Sequence, residues 1–246
     1  MREPPTTRRR SRPGFGVCLA LILLVGLGIR VAYVLTVTGD RTLIGDALSY
    51  HLWAGEIADG NGMVTVSHAQ VGTTVTDPVP SAQLAPLFPH FLGVVAWFGA
   101  TTVLAQKLVM AVVGTLTVLL LGLAGREAAG ERVGLLAAAI GAVYPFLWVA
   151  DGSLMSETLY GVWLCLILIV GFKFGRVATV PRALLLGGLI GLAGLTRGEA
   201  LVLGPLVAVP LGWMGGATWG RRLALIGASA LAAVAVLTPW TLRNLR

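Results

Sequence analysis

Apolar residues run nearly unbroken from Gly14 to Val37 and then give way to the polar Gly39-Asp40-Arg41. A transmembrane helix needs about 20 such residues, so this run predicts a span. The same pattern recurs along the chain and predicts seven spans, at 14–38, 104–124, 133–150, 157–174, 182–196, 199–214 and 223–240. Between the first two lies residues 39–103, a loop of roughly 65 residues, and loops of that length are usually functional. Within it, Ala47, Leu48, Trp53, Ala54, Ile57 and Ala58 recur at helical spacing from Asp46 to Asp59, predicting an amphipathic helix along the membrane interface. Gly60-Asn61-Gly62 is expected to end that helix through positive φ. Met63–Val66 and Gly72–Thr76 are expected to pair as a short hairpin. The apolar stretch from Ala85 to Ala100 is short and proline-broken, and is expected to be re-entrant or interfacial.

Composition narrows the class. The chain is 56% hydrophobic and 12% charged, with a mean hydropathy of +0.85. Soluble domains carry about 25% charged residues, so a water-soluble globule is excluded. The expected class is an all-α polytopic membrane protein, one transmembrane domain over residues 1–246 with no soluble domain. The net charge of +7 does not indicate nucleic acid, because the basic residues are not gathered on one soluble face. Arg2, Arg8, Arg9, Arg10 and Arg12 lie in the basic tail 1–13, and Arg126, Arg132, Lys173, Arg176, Arg182, Arg221 and Arg222 lie in alternate short loops. The positive-inside rule places these in the cytoplasm and residues 39–103 outside, in a multi-pass plasma-membrane protein with an uncleaved signal anchor. Cys18 and Cys165 sit in apolar runs, where cysteine serves as a small hydrophobe.

In that topology Asp46, Asp151, Glu157, Arg197, Glu199 and Arg243 fall on the external side. Ionisable groups at membrane depth are costly, and so mark functional sites by default. Asp46 lies a few residues past the first span, where a carboxylate can act as general base between a lipid-borne and a water-borne substrate. The plain alternative is a helix cap. Arg197 and Arg243 carry the guanidinium fork that matches phosphate oxygens, against an ion pair of Arg197 with Glu199 or a snorkelling anchor. Tyr50, His51, Asp151, Glu157 and Glu199 are candidate lining residues. Glu157 also suits the start of a helix, and aromatic residues are ordinary at interfaces. His51, His68 and His90 show no metal-ligand spacing.

Together these segments resemble the GT-C superfamily of integral-membrane glycosyltransferases, the protein O-mannosyltransferase and aminoarabinose-transferase branch in particular. The resemblance rests on Gly45-Asp46-Ala47-Leu48-Ser49-Tyr50-His51, Ala85-Pro86-Leu87-Phe88-Pro89 and Gly125-Arg126-Glu127. Tyr144-Pro145, Ser156-Glu157-Thr158-Leu159, Leu195-Thr196-Arg197-Gly198-Glu199 and Pro239-Trp240 with Arg243-Asn244 complete it. It implies that Asp46 activates the acceptor and that a polyprenyl-phosphate sugar is the donor. It also implies that no cofactor is needed, a divalent metal being the less favoured option. Transfer would go with inversion to a hydroxyl on protein, lipid or cell-envelope glycan. Family members run considerably longer, so the chain is expected to be truncated, or to act with a second chain supplying further helices. Two other functions compete: a non-catalytic, lipid-binding subunit of a split complex, and a membrane transporter, for which broken helices and internal repeats would be the signature.

Overall fold

The computed structural model describes residues 14–39, 41–66 and 79–245. Among the described residues every regular element is helical, and the only β pairing is an isolated bridge between Val64 and Pro80. Val64 thus pairs with Pro80; the expected partner segment Gly72–Thr76 lies outside the described residues.

The first span is α1 (Phe15–Tyr33), extended by a π-helical turn, Val34–Thr38. Its 24 residues rise about 36 Å at 1.5 Å each, enough to cross a hydrocarbon core of about 30 Å. Two short helices follow, α2 (Asp46–Ala58) and α3 (Leu87–Trp97). The long α4 (Val103–Ala129) starts where Thr102 accepts a bond from the Ala105 N–H. A turn at Gly130, with φ of +91°, leads into α5 (Glu131–Val143). Tyr144-Pro145 breaks the path, and α6 (Pro145–Gly152) bends away by 50°. Proline lacks the donor a continuing helix needs. Then come α7 (Glu157–Arg176) and α8 (Val180–Thr196). A 3₁₀ turn (Gly198–Val202), a π turn (Gly204–Ala208) and α9 (Val209–Gly215) follow, and α10 (Trp219–Asn244) is last.

Among the described residues five helical segments are long and apolar enough to cross a membrane, or six if α5 and α6 form one bent span. This is a helical membrane protein. All seven expected segments are helical, but α8 has only 17 residues and the third of them, 133–150, is broken in the middle.

Small residues let the helices approach backbone to backbone, the usual way helices associate where lipid removes the hydrophobic drive. A Cβ on Gly134 would lie 2.5 Å from the Gly122 carbonyl oxygen, so α4 and α5 touch there. Likewise a Cβ on Gly187 would lie 1.9 Å from the Ser229 oxygen, joining α8 to α10. Ser229 donates to the Ala183 carbonyl at 2.9 Å across the same seam.

The two short helices are built into the bundle. Tyr50 and Trp53 of α2 pack with Phe88 and Leu92 of α3, Met110 of α4 and Leu154, all buried. The Tyr50 and Phe88 rings meet edge to face at 4.8 Å, and the Trp53 indole donates to the Val64 carbonyl at 2.6 Å. The helix does end as its glycines dictate, with φ of +88° at Gly60 and +73° at Gly62.

The opposite end of the bundle collects basic side chains. Arg126 stacks on Phe15 and pairs with Glu131, Arg176 pairs with Glu127, and Arg182 and Arg221 donate to Val177 and Ala178 carbonyls.

Candidate functional site

At the end of the bundle where α2 and α3 lie, the start of α2 presents Asp46. Gly45 precedes it in a left-handed conformation, φ of +57°, and the first bonded helical amide is that of Ser49, donating to the Gly45 carbonyl at 3.3 Å. Asp46 is exposed in the first turn, where the helix dipole favours a carboxylate. One turn later the Tyr50 side chain is buried, and its hydroxyl donates to Ser156 Oγ at 3.4 Å. Burial holds this phenol above its usual pKa; the Ser156 bond opposes that, Asp46 and Glu157 add to it, and Arg197 lowers it. The three charges thus share one neighbourhood with Tyr50, although they come from α2, α7 and the α8 exit.

Arg197 stands at the break after α8. Its Nη1 meets Glu157 Oε1 at 2.5 Å and its Nε meets Glu199 Oε1 at 2.5 Å. The guanidinium is therefore shared between two carboxylates, with 31% of its side chain exposed. Trp163 fixes the preceding residue by donating to Thr196 Oγ1 at 2.9 Å. His51 Nδ1 pairs with the buried Gln106 Oε1 at 2.9 Å, turning toward α4. Arg243 has a structural occupation: it donates to the Ser81 and Met63 carbonyls at 2.7 and 2.6 Å and stacks on Trp240. It ties the end of α10 to the loop between α2 and α3.

Asp151 is not with this group. The expectation that it lies in a connecting loop is corrected: α6 folds back into the bundle and buries Asp151 to 1% exposure. There its Oδ2 accepts from Arg30 Nε at 2.7 Å and its Oδ1 from the Thr158 hydroxyl at 2.8 Å. Arg30, in the last turn of α1, also donates to the Gly26, Ala142 and Gly141 carbonyls at 3.1, 3.3 and 3.4 Å. Gly141 and Ala142 sit just before the α5–α6 break, where helix carbonyls lose their intrahelical partners. Arg30 answers them.

Sequence reasoning passed over Arg30, Lys107 and Gln106, all buried polar residues within apolar spans. The available signal was a lone charge inside an apolar run, which marks a partnered or functional site. Among the described residues no cluster of three His, Cys, Asp or Glu side chains is arranged to hold a metal ion. No protein-family model matches the chain, and no curated protein matches it at a significant level.

Proposed function

We propose that this chain is a membrane glycosyltransferase of the GT-C type, with Asp46 as general base and a polyprenyl-phosphate sugar as donor. The observation that carries the reading is the exposed Asp46 carboxylate, fixed at the head of a helix whose next turn is anchored in the bundle by Tyr50 and Trp53. A base held in this way keeps its position while two substrates arrive from different phases. The carboxylate takes the proton of an acceptor hydroxyl. The hydroxyl oxygen then bonds to the anomeric carbon from the face opposite the phosphate. The bond from that carbon to the phosphate oxygen breaks, its electron pair leaves with the phosphate, and the configuration inverts.

Arg197 would stabilise the departing phosphate, or orient substrate through Glu157 and Glu199, only by exchanging a present carboxylate partner. Tyr50, His51 and Glu157 would border the reacting groups. Asp151 supports the site through the fold. The basic end of the bundle would face the cytoplasm and Asp46 the exterior of the plasma membrane, in keeping with the positive-inside rule.

A second reading, a subunit completed by another chain, draws on the little-buried last helices: only 11% of the α10 window and 17% of the Gly198–Gly215 window are covered. The breaks at Tyr144-Pro145 and Gly198–Ala208 are what a carrier reading would use.

The test is turnover by purified protein in lipid nanodiscs given radiolabelled polyprenyl-phosphate hexose or pentose and an envelope extract as acceptor. Release of polyprenyl phosphate with an inverted glycosidic product is expected. Donors that all survive unchanged, with and without co-expressed neighbouring membrane proteins, would end the proposal.

A further inference from the structure

Beside the start of α2, a cavity of about 270 Å³ lies between the π turn of α1, residues 41–47, α4 and the exit of α6. Its polar lining comes from Tyr33, Thr38, Arg41, Thr42, Lys107 and Ser153. Lys107 is 1% exposed, and its ammonium donates to the Thr38 and Gly39 carbonyls at 2.6 and 3.4 Å. Thr38 is 6% exposed, and its Oγ1 is the one buried side-chain oxygen or nitrogen among the described residues with no hydrogen-bond partner. Buried hydroxyls are nearly always satisfied, so an orphan in a cavity wall calls for a partner from outside the chain. Gly152 packs closely on this wall: a Cβ there would lie 2.7 Å from the Tyr33 ring and 3.0 Å from that same oxygen.

The remaining lining points to one chemistry. The Arg41 side chain is exposed and has no partner among the described residues, as have the Thr42 and Ser153 hydroxyls. Ala47, in the first turn of α2, also lines the cavity, and the start of a helix favours anions. A guanidinium fork and hydroxyl donors around one space suit a tetrahedral oxyanion. Asp46, on the same turn, is not among the lining residues. The volume falls below the roughly 300–1,000 Å³ of drug-sized sites, fitting a headgroup and not a whole glycolipid. The cavity also opens where the apolar run of α1 ends at Thr38, the depth at which lipid phosphates lie.

We infer that this cavity is a binding site for a phosphate-class anion, either a lipid phosphate headgroup or free phosphate, held by Arg41 and the Thr38, Thr42 and Ser153 hydroxyls. It does not depend on the transferase reading: anion binding and sugar transfer are separate measurements and can fail separately.

The test uses the full chain in phosphatidylcholine nanodiscs. One arm titrates inorganic phosphate, followed by phosphorus NMR line broadening. The other adds dioleoyl phosphatidate to the nanodisc and scores lipid retained by native mass spectrometry. Saturable binding in at least one arm is expected, weakened about tenfold by Arg41→Gln through loss of its charge-assisted bonds, and also weakened by Thr38→Val. Arg176→Gln, at the other end of the bundle, should leave it unchanged. Phosphatidate retention that inorganic phosphate does not displace identifies the lipid source; saturation by inorganic phosphate alone identifies the free ion. Lys107→Met removes a buried ammonium and is expected to harm folding, so Arg41→Gln and Thr38→Val carry the test. No saturable binding in either arm, or binding that a well-folded Arg41→Gln retains in full, overturns the inference.

Discussion

Two arginines, Arg30 and Arg197, each meet carboxylates in this molecule, and their surroundings differ in every respect that bears on function. Arg30 has no exposed side-chain surface, one carboxylate partner and three helix carbonyls. Arg197 is partly exposed, stands at a helix break and is shared by two glutamates that are themselves exposed. A sealed ion pair can only hold parts of the fold together, since any change of partner leaves a buried charge bare. An open one can exchange partners with solvent or ligand at little cost. The lesson is that an ionisable group at membrane depth has to be sorted by what encloses it before it is assigned to a site.

The sharpest break of that comparison is Arg30→Met. It strands Asp151 in the interior, and removing one member of a buried pair costs about 3–5 kcal/mol. Thermal unfolding in detergent should show a large loss, most of it regained in Arg30→Met/Asp151→Asn, whose amide still accepts from Thr158. A double variant no more stable than the single would mean that the carbonyl bonds of Arg30 outweigh the ion pair.

Next comes Gly114→Ala. An added Cβ would fall 2.1 Å from Asp151 Oδ2, so α6 must shift, and overpacking of this kind costs about 1–3 kcal/mol. A melting temperature equal to wild type would show that α6 is free to move. Arg197→Ala should cost least in stability, about 0.2–1 kcal/mol for an exposed pair. If it instead destabilised as much as Arg30→Met, Arg197 would be a structural clamp and its place in the candidate site would be lost.

Much of the fold was legible because membrane spans announce themselves through runs of apolar residues. The α2 helix and its glycine stop were also readable, since periodicity and positive φ are local properties. The placement of Asp151 was not. Pro145 signals a break but says nothing of its angle, and the 50° bend that returns α6 to the bundle is set by contacts with Arg30 and Gly114 from distant segments. Lys107 escaped for a similar reason: within its own helix it is one charge in an apolar run, and its carbonyl partners lie 68 and 69 residues away. The gathering of Asp46, Tyr50, Glu157 and Arg197 depends on how three helix ends meet. Sequence order suggested a common side of the membrane but no distances.

The most direct test of the central claim is the transfer rate of Asp46→Asn in nanodiscs under the turnover conditions given above. The amide matches the carboxylate in size and still accepts a hydrogen bond, but takes no proton at neutral pH. A loss of about 10²–10⁴-fold, the usual worth of a general base, with an unchanged melting temperature is the expected result. Transfer within a fewfold of wild type would contradict it and leave Asp46 as no more than the favourably placed first residue of α2.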